Sequence, residues 1–303
     1  MARSTKHMTY SGFTGVIIGI KGGFAEVESG GEQFTCRIRG KLRLSDQEIV
    51  AGDNVKLIVK GAEHVIEEVL PRRNFLIRPP VANVDMVAIF TPLVAPDVDL
   101  MLTDRLCALA ERQRLEIVIC ATKADIAKGD ASVMIEDHYK GTGYSFVTLS
   151  APRNEGVERL KELLKGRISI FAGQSGAGKS TLINAMMPGL GLKTGEVSEK
   201  IGRGRHTTRQ VSLLRLSGGG YVADSPGFSS LELAGVEPDE VRSLMPDIYE
   251  HEGRCRFKGC RHNAEPGCSV KEAVRSGDVS GGRYKHYLAL LEECIEAEKR
   301  KYD

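Results

Sequence analysis

The sequence contains no apolar run long enough to cross a membrane. A spanning helix needs about 18 consecutive apolar residues, whereas apolar segments such as VDMVAIF and LEIVICA are far shorter. The opening MARSTKHMTYSG also lacks the apolar core of a signal peptide. We therefore expect a cytoplasmic protein that has no membrane partner.

The sequence also lacks a large net charge and a disulfide pattern. Lys and Arg number 42 against 40 Asp and Glu, so any attraction to nucleic acid must come from local patches. Seven cysteines, an odd number, do not suit a disulfide framework. Three of them crowd between positions 255 and 268 and require a separate explanation. The four that stand alone are Cys36, Cys107, Cys120 and Cys294.

The N-terminal part of the chain has the pattern of a small β-barrel. A chain of 303 residues with 41% apolar and 27% charged residues is long enough for two or three domains. Within residues 1–71, glycine-containing breaks separate five alternating segments, TGVIIGI, FAEVES, QFTCRIR, NVKLIVK and HVIEEVL. Five strands in so short a stretch favour an OB-like barrel over another β-sandwich. Hairpin turns are expected at Gly22-Gly23 and Gly30-Gly31.

Two later changes of pattern divide the rest of the chain. The proline-bounded stretch PRRNFLIRPP predicts a linker that ends at Pro80. Residues 72–233 then alternate apolar strands with helices, which predicts a mostly parallel sheet covered on both faces. Residues 234–303 are helical around a cysteine-rich insert, and apolar residues recur at helical spacing near the end. The fold class is thus multidomain α/β. The stripe consists of Tyr284, Tyr287, Leu288, Leu291 and Ile295.

The segment RISIFAGQSGAGKSTLINAMM is the most specific motif. An apolar strand over residues 168–172 runs into Gly-x4-Gly-Lys-Ser and an apolar helix, the context that a P-loop requires. Backbone N–H groups would hold phosphates, Lys179 would contact the β and γ phosphates, and Ser180 would bind Mg²⁺. Further on, Asp224 of DSPG would act on Mg²⁺ through water, and the Gly227 N–H would approach the γ-phosphate. The expected P-loop contacts are Gly173, Gln174, Ser175, Gly176, Ala177, Gly178, Lys179, Ser180 and Thr181.

The stretch CATKADIA carries a guanine-reading motif that precedes the P-loop. Thr122-Lys123-x-Asp125 follows a buried strand pattern, where ligand loops of such sheets lie. Asp125 would accept hydrogen bonds from guanine N1 and N2, while the Lys123 stem lies against the ring. Adenine lacks that donor pair, which disfavours an ATPase or a small-molecule kinase. Ser150-Ala151, after the next strand, would supply an N–H to guanine O6.

The motifs form a complete GTPase set in rotated order. Guanine loop, Ser-Ala, P-loop, the Thr-bearing loop GRGRHTT and DSPG follow one another in that sequence. This order predicts a circularly permuted GTPase, because permutation moves the chain ends and leaves the sheet contacts intact. The segment after DSPG would then run directly into the C-terminal domain.

The cysteine-rich segment RCRFKGCRHNAEPGCS predicts a structural metal site. Three thiolates and one imidazole would form a closed tetrahedral set, which suits Zn²⁺ and leaves no open position for catalysis. His251 and His286 are alternative nitrogen ligands, but Cys260-x-His262 fits a tight metal loop. Buried free cysteines are the alternative to any metal. The predicted ligands are Cys255, Cys260, His262 and Cys268.

The order TKAD, GQSGAGKST, GRGRHTT, DSPGF and Cys/His set, after a barrel, resembles the RsgA (YjeQ) family of bacterial small-ribosomal-subunit biogenesis GTPases. The resemblance covers essentially the whole chain. It implies a ribosome-stimulated GTPase that uses GTP and Mg²⁺ and carries zinc. It also implies binding to the 30S subunit and its 16S rRNA late in maturation and release after hydrolysis. We expect a monomer. Thr122 departs from the Asn usual in GTPases, although its hydroxyl can still bridge to neighbouring loops.

The residue that orients the attacking water is not obvious from the motifs. Phe228 stands where many GTPases carry a glutamine. Our hypothesis is that His206 positions the water when a partner orders its loop, with an exposed or RNA-contacting histidine as the alternative. Thr208, or else Thr207, is expected to reach Mg²⁺.

Basic residues in three places suggest contact with RNA phosphates. Such runs are often solvated faces, and one loop arginine could instead act as an arginine finger in cis. An RNA-binding module that uses GTP only as a structural ligand is the alternative function. The candidate contacts are Arg37, Arg39, Lys41, Arg43, Arg203, Arg205, Arg256, Lys258 and Arg261.

Overall fold

The computed structural model describes residues 12–43, 48–187, 189, 211–224, 233 and 235–301. In that part of the chain, a β-barrel, a mixed sheet with helices on both faces and a helical unit follow one another. No helix among these residues is long and apolar enough to cross a bilayer.

The N-terminal unit is a closed five-stranded barrel with the strand order β1-β2-β3-β5-β4. Strands β3 and β5 pair in parallel, and the other neighbouring strands pair antiparallel. The inward side chains of Ile17, Val27, Leu57 and Ile66 are fully buried. The barrel prediction is confirmed, as are the turns at both Gly-Gly pairs. The strands are β1 Phe13–Lys21, β2 Phe24–Ser29, β3 Glu32–Ile38, β4 Asn54–Lys60 and β5 Glu63–Val69.

A short helix and a β-ribbon depart from the predictions. Helix α1, Gly40–Arg43, follows β3 and was not among the predicted elements. The stretch predicted as a linker contributes β6, Phe75–Ile77, which pairs antiparallel with β7, Pro80–Ala82. Asn74 closes this ribbon, because its side chain donates to the Val84 carbonyl and accepts from the Val84 N–H. The linker prediction is therefore wrong: side-chain amides satisfy the backbone beside the ribbon, so an ordered element forms despite the prolines.

The central unit is a six-stranded sheet with the order β10-β9-β8-β11-β13-β12. All neighbours are parallel except β12 and β13. Every residue of the central strand β8 is buried, as expected for a sheet covered on both faces. The elements are β8 Met86–Pro92, α2 Leu100–Arg112, β9 Glu116–Thr122, α3 Ala131–His138, β10 Ser145–Thr148, α4 Val157–Leu164, β11 Ile168–Gly173, α5 Lys179–Met186, β12 Ser212–Arg215 and β13 Tyr221–Asp224.

The C-terminal unit is helical and packs on the central sheet through α2. It consists of a 3₁₀ helix, Pro238–Leu244, and helices α6 Pro246–Tyr249, α7 Ser269–Ser276 and α8 Gly281–Lys299. The stripe predicted for the last helix faces a core: Tyr287 and Leu291 are buried, and its other members pack against the same cluster. Ala108 of α2 belongs to that cluster. The multidomain α/β architecture is confirmed.

Candidate nucleotide and metal sites

The topology brings the nucleotide motifs to one edge of the central sheet. The guanine motif follows β9, Ser150-Ala151 follows β10, and the phosphate loop follows β11. These strands run parallel with β8 between β9 and β11, so their carboxyl ends meet at the same edge. Strand β13 pairs in parallel with β11 and ends at Asp224. Motifs from distant parts of the chain therefore converge.

Two glycines allow the phosphate loop a backbone path that other residues disfavour. At Gly173 the backbone φ is 126°, and a Cβ there would lie 2.3 Å from the carbonyl oxygen of Phe90 in β8. Gly178, with a φ of 91°, precedes the first residue of α5. Both conformations are left-handed, which side chains disfavour. The loop consequently runs close to β8 and opens directly onto a helix N-terminus, the geometry that binds phosphate.

Lys179 lies folded back over this loop. Its Nζ donates to the carbonyl oxygens of Gly173 at 2.7 Å and Gln174 at 2.8 Å. Burial disfavours the charged form and lowers the pKa of Lys179 to about 8. A partly desolvated ammonium that faces only neutral carbonyls would gain more from an anionic phosphate than a fully hydrated lysine.

Thr122 joins the guanine loop to the phosphate loop. Its buried hydroxyl donates to the carbonyl oxygen of Ala177 at 2.7 Å. The hydroxyl thus bridges the two predicted ligand loops, as was expected for a threonine at this position. Buried, satisfied polar contacts of this kind hold neighbouring loops in one arrangement.

Asp125 is oriented by the Ser-Ala segment. The hydroxyl of the fully buried Ser150 donates to Asp125 Oδ1 at 2.9 Å. Within the described residues, Asp125 Oδ2 accepts no hydrogen bond. Lys123 has a left-handed backbone with a φ of 64°, and its ammonium donates to the Ala95 carbonyl in the loop after β8. The carboxylate is held at one oxygen and free to accept at the other.

A cleft of about 220 Å³ lies between these loops. Predicted and unpredicted residues share its lining. Thr122, Lys123, Asp125, Ala151, Gly178 and Thr181 were predicted from the motifs, whereas Ile126, Leu149, Pro152 and Leu182 were not. Each of these four is next in the chain to a residue predicted from the motifs, Leu149 to Ser150 for example, so adjacency was the available signal. Apolar walls with one carboxylate suit a flat ring with polar edges.

Several predicted site residues cannot be placed in this way. The side chain of Asp224 lies outside the described part of the structure. So do the remaining members of the Thr-bearing loop and of DSPG that were singled out. These residues are Arg203, Arg205, His206, Thr207, Thr208, Gly227 and Phe228.

The four predicted metal ligands do come together. Their ligand atoms all lie within 4.8 Å of one another. Cys255 Sγ is 3.9 Å from Cys268 Sγ, and His262 Nδ1 is 3.6 and 3.4 Å from these two sulfurs. A tetrahedron with metal–sulfur bonds of about 2.3 Å has edges of about 3.8 Å. The group could therefore hold a metal ion.

The surroundings of the cluster agree with this donor set. Burial lowers the pKa of His262, which favours the neutral imidazole that ligates a metal. Of the two alternative nitrogen ligands, His286 is engaged elsewhere, since its Nδ1 lies 2.6 Å from Asp104 Oδ2. The described cluster likewise does not include His251. His262 is the imidazole that meets the thiols.

The basic residues predicted to contact RNA differ in how they are paired. Arg37 and Arg39 on the barrel lie 3.9 and 3.5 Å from glutamates of β5. Arg261 donates to Asp239 at 2.8 Å. Arg256 and Lys258 are exposed and form no ion pair with any carboxylate in the described residues. The side chain of Arg43 is outside the described part of the chain.

The fold and the cleft define a circularly permuted P-loop GTPase, because the guanine loop precedes the phosphate loop and both open on one sheet edge. A family model described as RsgA GTPase matches residues 69–234, and one described as RsgA N-terminal domain matches residues 14–65. The chain belongs to the RsgA GTPase family. It is a GTP-hydrolysing enzyme, as its motifs predicted.

Relatives of nearly equal length support this membership. A protein of Moorella thermoacetica described as small ribosomal subunit biogenesis GTPase RsgA is 48% identical, covering 94% of this chain and 98% of the relative. The crystal structure of YjeQ from Thermotoga maritima has a TM-score of 0.83 at 36% identity, covering 94% of this chain and 99% of that one. The structure of YloQ, described as a circularly permuted GTPase, has a TM-score of 0.79 at 33% identity and covers 98% and 99%.

Proposed function

We propose that this enzyme is a GTP-gated switch that acts late in the maturation of the 30S ribosomal subunit. The cleft that unites the guanine loop, the Ser-Ala segment and the phosphate loop is the observation that carries the nucleotide part. The names of the relatives, small ribosomal subunit biogenesis GTPases, support the partner. In this proposal the protein binds the subunit and its 16S rRNA as a monomer in the cytoplasm and leaves after hydrolysis.

The base of GTP would enter the cleft edge-on. Asp125, held at Oδ1 by Ser150, accepts from guanine N1 and N2, and the Ala151 N–H donates to O6. The triphosphate then lies along the N-terminus of α5. Lys179 exchanges its two loop carbonyls for the β and γ phosphates, which compensates its desolvation.

Magnesium and the γ-phosphate would connect the nucleotide to the switch. Ser180, in the first turn of α5, and Thr208 or Thr207 bind Mg²⁺ directly, and Asp224 binds it through water. The Gly227 N–H contacts the γ-phosphate. Loss of that phosphate releases both loops, which is how nucleotide switches change state.

His206 is our choice for the group that positions the attacking water. The DSPGF motif supplies a phenylalanine where many GTPases have the glutamine that orients water, and His206 precedes Thr207 and Thr208 in the sequence, one of which is expected to reach Mg²⁺. His206→Ala should lower subunit-stimulated turnover by about 100-fold or more while leaving GTP affinity unchanged. Full stimulated turnover in this variant would rule out the catalytic role.

RNA binding would involve both flanking units. The ion pair of Arg37 can be exchanged for phosphates at little cost, because it is exposed and exposed pairs contribute little stability, whereas the pair of Arg39 with Glu67 is half-buried. Lys41, Arg43, Arg203 and Arg205 are proposed as further phosphate contacts because of their charge and their positions in the sequence. Near the predicted metal ligands, Arg256 and Lys258 form no ion pair with a carboxylate of the described residues, whereas Arg261 must first leave Asp239.

The metal in the C-terminal unit is proposed to be zinc with a structural role. Three thiolates and one imidazole prefer Zn²⁺, and a four-ligand set is coordinatively complete. Few apolar residues lie between Cys255 and Cys268, so the ion would replace a core for this segment.

The proposed function is tested by steady-state GTP hydrolysis with no subunit, with 30S subunits and with 50S subunits, using ATP as the control. We expect 30S subunits, and not 50S subunits, to stimulate hydrolysis strongly, and we expect this with GTP and not with ATP. A rate that neither subunit changes would overturn the ribosomal assignment and favour GTP as a structural ligand.

A matched variant tests the guanine cleft separately. In Asp125→Asn, the amide oxygen can still accept from N1 and the amide NH2 can donate to the C2 carbonyl of xanthine, but with guanine that NH2 meets the N2 amino group, which is also a donor. GTP affinity should fall by about 1,000-fold or more and XTP should bind instead. Ser150→Ala should have a smaller effect in the same direction, because it only removes the group that orients Asp125. Unchanged GTP affinity in Asp125→Asn would exclude this cleft as the base site.

A further inference from the structure

Phe257 is an exposed aromatic ring on a loop that is held at both ends. The side chain is 46% exposed. Cys255 and Cys260, which flank it, belong to the metal-ligand group. The Arg256 N–H also donates to the Gly267 carbonyl at 2.9 Å. A ring presented from a pinned loop loses little conformational freedom when it binds a partner.

Positive charge surrounds this ring without nearby compensation. The guanidinium of Arg256 lies 5.6 Å from the centroid of Phe257. Arg254, Arg256 and Lys258 are all exposed, and none forms an ion pair with a carboxylate among the described residues. Neighbouring arginines do form such pairs: Arg242 binds Glu252 at 3.1 Å. This arrangement does not suit a protein core. It suits a ligand that has a flat apolar face and anions on either side of it.

An unpaired nucleobase has the chemistry that this surface fits. Every base has a flat face that stacks on an aromatic ring, and its flanking phosphates attract cations. Bases inside an A-form helix are already stacked and inaccessible to such a ring, so single-stranded or bulged RNA is the matching ligand. We propose that Phe257, with Arg256 beside it, stacks on an unpaired RNA base while Arg254 and Lys258 bind the adjoining phosphates.

This inference rests on the proposed function, which makes RNA the partner. It adds that the loop between Cys255 and Cys268 prefers unpaired RNA. The phosphate contacts alone would accept duplex and single strand alike. A stacking residue adds a preference for unpaired nucleotides. It also predicts a contact that depends on the aromatic ring and not on charge.

The experiment uses the full, metal-loaded protein with GTP. Binding is measured to an unpaired oligoribonucleotide that carries 2-aminopurine, and to a duplex of the same length. Phe257→Ala should lower affinity for the unpaired strand by about 10- to 100-fold and leave duplex binding unchanged. Phe257→Tyr should retain affinity and quench 2-aminopurine fluorescence, whereas Phe257→Leu should behave like the alanine variant. Met134→Ala, which truncates another exposed apolar side chain, is the matched control.

Three results would overturn the inference. One is full affinity in Phe257→Leu, and another is an equal loss for duplex and single strand in Phe257→Ala. The third is weaker 30S binding by Phe257→Ala with unchanged binding to free RNA, which would assign the ring to a protein contact. Stimulation of wild-type GTP hydrolysis by 30S subunits is measured in parallel. If 30S does not stimulate hydrolysis, the proposed function is wrong. If 30S does stimulate it and any of these three results is found, only the stacking site is wrong.

Discussion

The two flanking units are attached to the GTPase sheet in different ways. The barrel has an apolar cluster of its own, formed by residues such as Ile17 and Leu57, and joins the rest of the chain through polar contacts and through Ile18 and Ala51, which pack in the apolar cluster of the central sheet. The C-terminal unit shares its apolar cluster with Ala108 of α2. A unit with its own core can keep its fold when a junction opens, whereas a shared core is lost with the junction.

The C-terminal junction is built around a buried arginine. Arg283 of α8 is fully buried and donates to Asp247 at 2.6 and 2.9 Å and to Asp104 of α2 at 2.8 Å. Asp104 Oδ2 also lies 3.1 Å from His138 Nε2 and 2.6 Å from His286 Nδ1. Opening this junction would separate buried charges that stabilise one another. We therefore expect the whole network to open together.

The barrel junction is partly open to water. Arg72 donates to both oxygens of the buried Asp53 at 2.6 and 2.9 Å. Arg215 of β12, which is 45% exposed, lies 3.1 Å from Glu28 of β2. Strand β12 belongs to the hairpin between the Thr-bearing loop and DSPG. The barrel therefore touches the sheet at the hairpin that connects two nucleotide motifs.

Removal of the proposed zinc ion should have the largest effect, and that effect should be confined to the C-terminal unit. Structural zinc contributes about 10–16 kcal/mol to such segments in isolation. Chelation should abolish hydrogen-exchange protection around Cys268 and α7 while barrel strands and GTP affinity stay unchanged. Equal loss of protection in the barrel or of GTP binding would contradict the separation of the two units.

Arg283→Met should destabilise the protein by about 3–5 kcal/mol, because it leaves Asp104 and Asp247 buried without their cation. Urea denaturation, with α8 followed by hydrogen exchange, measures the loss. Arg275→Met is the control, since its ion pair with Glu272 is exposed and should contribute less than about 0.5 kcal/mol. Similar losses in the two variants would show that the buried network does not hold the junction.

Asp53→Ala should have a smaller effect of about 1.5–3 kcal/mol. It removes the acceptor of Arg72 and of the Val50 N–H, but Arg72 can turn toward water. Thermal denaturation with exchange of the barrel amides would detect it. Glu63→Ala removes only the exposed partner of Arg37 and serves as the control. A loss of stability as large as that of Arg283→Met would contradict the prediction that the barrel junction contributes less stability than the C-terminal junction.

Mild acid should weaken the C-terminal junction by the smallest amount. Burial alone would raise the pKa of Asp104, but Arg283 and hydrogen bonds from His138 and His286 hold it well below its ordinary value. The unfolded chain takes up this proton near pH 4 and the folded chain does not. Stability is therefore complete above about pH 4 and falls below it, by at most about 1.4 kcal/mol per pH unit from this group.

The slope of stability against pH tests this assignment. Between about pH 4 and pH 3, the wild-type protein should lose stability more steeply than Asp104→Asn, which has no carboxylate to protonate at that position. Equal slopes would mean that other carboxylates account for the acid sensitivity.

Local patterns in the sequence were sufficient for most of the elements and for the ligand types. The alternating segments predicted all five barrel strands, and the strand–loop–helix pattern around Lys179 predicted the phosphate loop. Spacing also selected His262 as the imidazole that meets the thiols. Each of these depends on neighbours in the chain: backbone preference, period of burial and the distance between ligands in one loop.

Only the tertiary structure decided which distant groups meet. The partner of the Thr122 hydroxyl is a carbonyl of the phosphate loop, 55 residues away. Arg283 pairs with Asp104, 179 residues away, and no local sequence pattern near either residue predicts this ion pair. The stretch taken for a linker becomes a ribbon because Asn74 and Val84 bind each other across the turn. Such contacts follow from how whole elements pack, whereas local sequence specifies only the elements themselves.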